Sequence, residues 1–211
     1  MSSVLFAVQA SVLNARAALT ETVTLKSDGS VKFLAVGRPS ALKINGEGSA
    51  PEGDLTIVKG QATGVIKMDV SSFKTGIETR DHHMKEKYLE VGSADNKYAT
   101  LTLLDCTVPA SFFDGAKAES KALPFKGKLR LHGVEQELSG TVDLTRDGKA
   151  IKGASKFDID IPAYKIAVPS FAGITVAKIV TVEVSLSGVE SLPFDKPAEK
   201  PIEKAAEKRV T

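Results

Sequence analysis

The side chains best suited to acid–base or metal chemistry in this sequence lie together at Asp81, His82 and His83. Neighbouring positions on a helix point about 100° apart, so the two imidazole rings cannot easily bind one ion. The third histidine, His132, ends an apolar alternating segment just before Gly133, and a turn residue is the simpler interpretation there. We therefore expect no metal site.

Covalent and redox catalysis have equally little support. Cys106 is the only cysteine, which excludes an internal disulfide, a paired-cysteine redox motif and a thiolate-rich zinc site. The sequence contains no nucleophile elbow, no His-Glu-x-x-His motif and no glycine-rich phosphate loop. We expect a protein without catalytic residues or a cofactor, and a hydrolase that uses Asp81 with a neighbouring histidine is the weakest hypothesis.

Composition narrows the class of partner. The 211 residues include 28 Lys and Arg against 26 Asp and Glu, a net charge of +2, and 42% are hydrophobic. Proteins that bind nucleic acid usually carry a clear excess of basic residues, so a nucleic-acid partner is not expected. The length suits one large all-β domain.

The two ends of the chain differ from its middle. Residues 1–17 contain a short apolar run, Val4–Leu13, followed by the Ala15-Arg16-Ala17 pattern of a signal-peptide cleavage site. No basic residue precedes the run, and a strand or helix packed on the domain is the alternative. The run is too short to span a membrane, and we expect an exported chain with no transmembrane segment. Residues 193–211 are rich in Pro, Lys, Glu and Ala and predict a charged, flexible tail.

Between these ends, residues 18–192 alternate between apolar and polar side chains. Ile66 and Met68, for example, flank Lys67. This period of two predicts antiparallel strands with one face in water. Asp-Gly pairs within 27–30 and 146–149 favour tight hairpins. About eight to ten such strands would close into a barrel or form two packed sheets.

One segment departs from this period. Glu78–Val91 is rich in charged residues and helix formers, with Met84 and Tyr88 four positions apart, which predicts a short amphipathic helix. Thr79 is a plausible N-cap and Gly92 a plausible stop.

The inward faces of the strands have the greatest functional potential. An eight-stranded barrel is just wide enough to be filled by its side chains or to hold one slender ligand, and periodicity does not choose between these. The candidate lumen residues are Ile66, Met68, Leu101, Leu103, Phe125, Leu129, Leu131, Val142, Phe157, Ile159, Val182 and Val184.

Four stretches of the chain resemble the YceI-like family, the extended-lipocalin barrels of bacterial periplasms. They are 37–48 (GRPSALKINGEG), 73–89 (FKTGIETRDHHMKEKYL), 123–134 (LPFKGKLRLHGV) and 169–176 (PSFAGITV). The resemblance implies an eight-stranded antiparallel lipocalin-like barrel with one short helix near the mouth. It also implies a homodimer in some members and gives Arg80, Asp81 and His83, at the start of the helix, a structural or headgroup-binding role.

Family members that resemble this chain carry long apolar molecules, including polyisoprenoid quinones and fatty amides. The resemblance therefore implies a periplasmic, non-catalytic protein that holds an isoprenoid or fatty-acyl lipid in its lumen for carriage or sequestration. A filled barrel that acts through its outer surface, as a stress-related or envelope-interaction module, is the second hypothesis.

Overall fold

The computed structural model describes residues 20–38, 42–171 and 174–191. The predicted signal peptide at 1–17 and the predicted tail at 193–211 lie outside these ranges. Twelve strands are present in the described residues, and every pairing between them is antiparallel. They are β1 (Thr20–Leu25), β2 (Ser30–Arg38), β3 (Leu42–Gly48), β4 (Glu52–Val58), β5 (Gln61–Asp69), β6 (Tyr98–Cys106), β7 (Lys117–Leu131), β8 (Val134–Asp147), β9 (Ala150–Asp160), β10 (Ser170–Phe171), β11 (Ile174–Val176) and β12 (Ile179–Ser191).

Eight of these strands form a closed ring in the order β1, β4, β5, β6, β7, β8, β9 and β12, and β12 pairs back onto β1. The ring leaves no free edge within it, which is how a half-apolar meander avoids pairing with other chains. This confirms the predicted eight-stranded antiparallel barrel.

The predicted hairpin at Asp28-Gly29 is wrong. Strands β1 and β2 do not pair with each other, because both lie along the same strand, β12: Leu25 pairs with Gly188 and Ser30 with Ser185. A Cβ atom at Gly29 would lie 2.4 Å from the backbone oxygen of Ser185, so the close approach of the two backbones requires glycine here. The Asp-Gly pair therefore lies between two strands that pair with successive parts of β12, and β2 forms its hairpin with β3.

The second Asp-Gly pair does form the predicted hairpin. Asp147 pairs with Ala150 across the turn between β8 and β9. Gly148 has a φ of 61°, in the left-handed region that such a turn requires. The hairpin lies at the same end of the barrel as the start of β1, which is the end opposite the helix.

The helical segment begins at Glu78, as expected, but its N-cap residue and its C-terminal end differ from the prediction. An α-helix, α1 (Glu78–His83), continues directly into a π-helical turn over Met84–Tyr88. Its N-cap residue is Ile77 and not Thr79, and its C-cap is Leu89, so the helix stops before Gly92. A short helix near the barrel mouth is therefore confirmed, with different capping.

Candidate ligand cavity

The barrel encloses a cavity of about 900 Å³. This volume is near the top of the range of ~300–1,000 Å³ that is usual for small-molecule sites. The inward side chains of the strands line it, and they are almost all Val, Leu, Ile, Phe or Ala. The barrel is therefore hollow. The apolar–polar alternation of the sequence could not decide between a filled and a hollow barrel.

The structure places all of the predicted lumen residues on the wall of this cavity. They are Ile66, Met68, Leu101, Leu103, Phe125, Leu129, Leu131, Val142, Phe157, Ile159, Val182 and Val184. Their register explains why they share one surface: Ile66 lies beside Leu101, which lies beside Leu129 on the next strand. Contact of these residues with a lipid remains a prediction.

One polar residue interrupts the apolar wall halfway along β9. Ser155 lies between Val142 and Val184 on the two neighbouring strands. Its hydroxyl donates to the carbonyl oxygen of Thr141 at 2.8 Å, so its donor is already used by the barrel itself. The wall at this level therefore offers a ligand little more than apolar contact.

The end of the barrel opposite the helix is packed with buried side chains. Phe112 and Phe113, in a 3₁₀ turn after β6, are 2% and 5% exposed and meet edge to face, with ring centroids 5.3 Å apart. Cys106 borders the cavity near them. Burial, and to a lesser degree the nearby Asp105 carboxylate, raises the pKa of the Cys106 thiol. The thiol therefore stays protonated near neutral pH and is a poor nucleophile.

A buried ion pair strengthens the same end. Arg146 donates from Nε and Nη2 to one carboxylate oxygen of Glu190, at 3.0 and 2.8 Å, and its third nitrogen donates to the Gly115 carbonyl. Both charged side chains are almost wholly buried, and the guanidinium lies 5.9 Å from the Phe113 ring centroid. These bonds tie β8 to the end of β12 and to the loop after Phe113, and they hold this end closed.

The opposite end, which we call the mouth, is bordered by exposed apolar residues, among them Leu42 and Ile77. The loop before α1 is fixed there by Thr75. Its backbone N–H donates to Asp81 Oδ1 at 2.8 Å and its hydroxyl donates to the same oxygen, while Arg80 donates to the Thr75 hydroxyl at 2.7 Å and to its carbonyl at 2.8 Å. Arg80 and Asp81 therefore fix the loop on which the helix begins.

The three residues carried over from the family resemblance take different positions. Arg80 and His83 border the cavity, whereas Asp81 does not. His82 and His83 are both exposed, and their ring centroids are 6.3 Å apart. Within the described ranges no cluster of three His, Cys, Asp or Glu side chains could hold a metal ion.

His132 lies in the turn that the sequence indicated, with a φ of 50°. One ring nitrogen is 3.1 Å from the Tyr164 carbonyl oxygen, and the other is 3.0 Å from a Glu90 carboxylate oxygen. The imidazole therefore connects two loops at the mouth, and it does not border the cavity.

Sequence reasoning missed the part of the wall that lies outside the most regular strands. This part includes Phe33, Phe73, Ile77, Phe112, Phe113 and Ile174. Phe112 and Phe113 lie in a turn without period-two alternation, and only an apolar pair in a polar loop could have indicated their burial. Phe33 lies on β2, a half-buried strand whose alternation is weaker.

Comparison with known proteins assigns the chain to a family. The sequence model of the YceI-like domain matches residues 18–188. The chain belongs to the YceI-like family. This confirms the resemblance seen in the sequence. No curated protein matches the chain.

Two solved structures share the fold. A polyisoprenoid binding domain from Saccharophagus degradans, implicated in plant cell wall breakdown, is 15% identical with a TM-score of 0.61, and the match covers 80% of this chain and 98% of that one. Burkholderia cenocepacia BcnA is 17% identical with a TM-score of 0.58, covering 77% and 99%. At these identities the likeness concerns the fold. None of the described helices is long and apolar enough to cross a membrane.

Proposed function

We propose that this YceI-like protein is a non-catalytic binding protein that holds a long apolar lipid in the barrel cavity for carriage or sequestration. The observation that carries the proposal is the cavity of about 900 Å³ with its nearly continuous apolar wall. The related domain described as polyisoprenoid-binding supports a ligand of the isoprenoid or fatty-acyl class.

The energetics favour a chain-like ligand. Burial of apolar surface contributes roughly 25 cal/mol per Å², or about 0.8 kcal/mol for each CH₂ group removed from water. A long tail therefore supplies most of the affinity, and polar groups at the mouth need only select the headgroup. A polar, water-soluble substrate would gain little binding free energy from this apolar wall.

We further propose that the protein works in the periplasm, on the basis of the signal-peptide pattern in residues 1–17. A homodimer is an additional prediction from the family resemblance. Fractionation of cells followed by N-terminal sequencing tests the first, with cleavage after Ala17 as the expected result. Sedimentation of the mature protein tests the second.

Native mass spectrometry of protein purified without detergent tests the main proposal. We expect a one-to-one adduct whose mass, after solvent extraction, matches an isoprenoid or fatty-acyl lipid. A protein whose mass is that of the chain alone, and stays so after incubation with an isoprenoid quinone and with a fatty amide, would contradict lipid binding. That result would favour the second hypothesis, a module that acts through its outer surface.

A further inference from the structure

The helical segment at the mouth presents a basic face to the cavity. Arg80, His83 and Lys87 lie at positions i, i+3 and i+7 of the segment Glu78–Tyr88, with Met84 between them. Residues at this spacing share one side of a helix. All four border the cavity, so two cations and an imidazole lie beside the opening of an apolar chamber.

The acidic residues of the same segment are directed elsewhere. Glu78, Asp81 and Glu86 do not border the cavity, and Asp81 is already bonded to Thr75. Indeed, no Asp or Glu borders the cavity anywhere in residues 20–38, 42–171 and 174–191. Although the whole chain is nearly neutral, the charged groups beside this cavity are therefore of one sign.

Two of the basic residues differ in their surroundings. Bonds from Nε and Nη2 to Thr75 orient the guanidinium of Arg80, which is half-buried. Lys87 is exposed, and its ammonium is 5.6 Å from the centroid of the neighbouring Tyr88 ring. Lys67 also borders the cavity, but it is an exposed residue between the inward-facing Ile66 and Met68. The helical face therefore carries three of the four basic residues that border the cavity in the described part of the chain.

We propose that this mouth selects a lipid whose headgroup is an anion, a carboxylate or a phosphate ester, over lipids of the same tail with a neutral headgroup. The proposal rests on the proposed lipid-binding function. Lysine and arginine only donate hydrogen bonds, and they bind carboxylate and phosphate oxygens most strongly. A neutral amide headgroup also carries N–H donors, and none of the carboxylates that the structure describes borders the cavity to accept them.

The test compares ligands that share one tail. Oleic acid, oleyl phosphate, oleamide and oleyl alcohol are titrated into delipidated protein below their aggregation concentrations, with inorganic phosphate as a control without a tail. We expect the two anions to bind about tenfold more tightly than the alcohol at low salt. The difference should shrink between about 0.01 M and 1 M salt, because the Debye length falls from about 30 Å to 3 Å.

A pair of charge reversals on one segment locates the effect. Lys87→Glu should weaken oleate binding by about five- to tenfold and leave oleyl alcohol unchanged. The matched control is Lys85→Glu, which makes the same change in net charge at a residue that does not border the cavity. It should change oleate binding by less than about twofold.

The outcomes separate the two proposals. If none of the four amphiphiles binds, the proposed lipid-binding function fails, and the headgroup inference fails with it. If oleyl alcohol binds as tightly as oleate, or if the two charge reversals have equal effects, the anionic headgroup is wrong while lipid binding stands. If inorganic phosphate displaces oleate at a similar concentration, the basic face is a site for free anions and not for a lipid headgroup.

Discussion

Replacing Ser155 with phenylalanine narrows the cavity halfway along its length. Ser155 borders the cavity between Val142 and Val184, and Ala154 beside it is exposed on the outer face of the same strand. Ser155→Phe therefore places a ring inside the chamber, and Ala154→Phe places the same ring outside. The pair separates the loss of cavity volume from the general effect of phenylalanine on β9.

The expected loss of affinity follows from the length of tail that the ring excludes. Each CH₂ group that stays in water forfeits about 0.8 kcal/mol. A phenyl ring that excludes about four chain carbons should cost about 3 kcal/mol, which is about a 200-fold increase in Kd. Loss of the Ser155 hydrogen bond to Thr141 should lower the stability of the fold by about 1 kcal/mol, and thermal unfolding measures that separately.

The assay is a series of saturated fatty acids of increasing length, titrated by calorimetry into the delipidated wild type and both variants. In the wild type, affinity should rise about fourfold with each added CH₂ group until the cavity is full. Ser155→Phe should reach its plateau at shorter chains, and Ala154→Phe should follow the wild type. Affinity that does not depend on chain length in the wild type, or equal plateaus in the two variants, would refute binding of the tail in this cavity.

Three further predictions concern the closed end of the barrel and the turn between β1 and β2. Because burial raises the pKa of the Cys106 thiol, this cysteine should react with iodoacetamide at pH 8 more slowly in the folded protein than in the guanidinium-unfolded protein. The reaction rate of the folded protein should rise only at more alkaline pH. Equal rates in the two states would contradict the raised pKa. Arg146→Met leaves Glu190 buried without its guanidinium and should cost about 3–5 kcal/mol, seen as a fall of about 10 °C in Tm, whereas an unchanged Tm would show that the ion pair does not stabilise the fold. Gly29→Ala should also lower Tm, because its new Cβ meets the backbone oxygen of Ser185, and a melting curve equal to that of the wild type would mean that the two strands separate there easily.

The sequence predicted the wall of the cavity better than the cavity itself. Period-two alternation decides which face of a strand is apolar, and this is why residues as distant as Ile66 and Val184 were predicted to share one surface. Whether that surface is filled depends on the diameter of the closed ring and on which side chains meet across it. Both depend on strand number and register, which no single segment encodes.

The two Asp-Gly pairs show the same limit at the scale of a turn. Asp147-Gly148 forms a tight hairpin because β8 and β9 pair with each other, whereas Asp28-Gly29 joins two strands that both pair with β12. The local preference for a turn is the same in both places, and the partner of the following strand decides the outcome. The predicted helix cap was wrong for a similar reason. The sequence indicated the helical segment, but the loop before it is fixed by bonds among Thr75, Arg80 and Asp81 and not by a side-chain cap at Thr79.

Under the proposed function, the size of the cavity ties ligand binding to the stability of the barrel. Where the apolar wall of a cavity of about 900 Å³ meets neither protein nor ligand atoms, it forfeits the packing contacts of a filled core, and this lowers the stability of the barrel. Water can enter, but an apolar wall gives it few hydrogen-bond partners. A long apolar tail would remove both penalties at once, whereas the closed end is already packed by the buried ion pair and the two phenylalanines. The features that leave this barrel incompletely packed are therefore the same features that give a lipid tail its affinity.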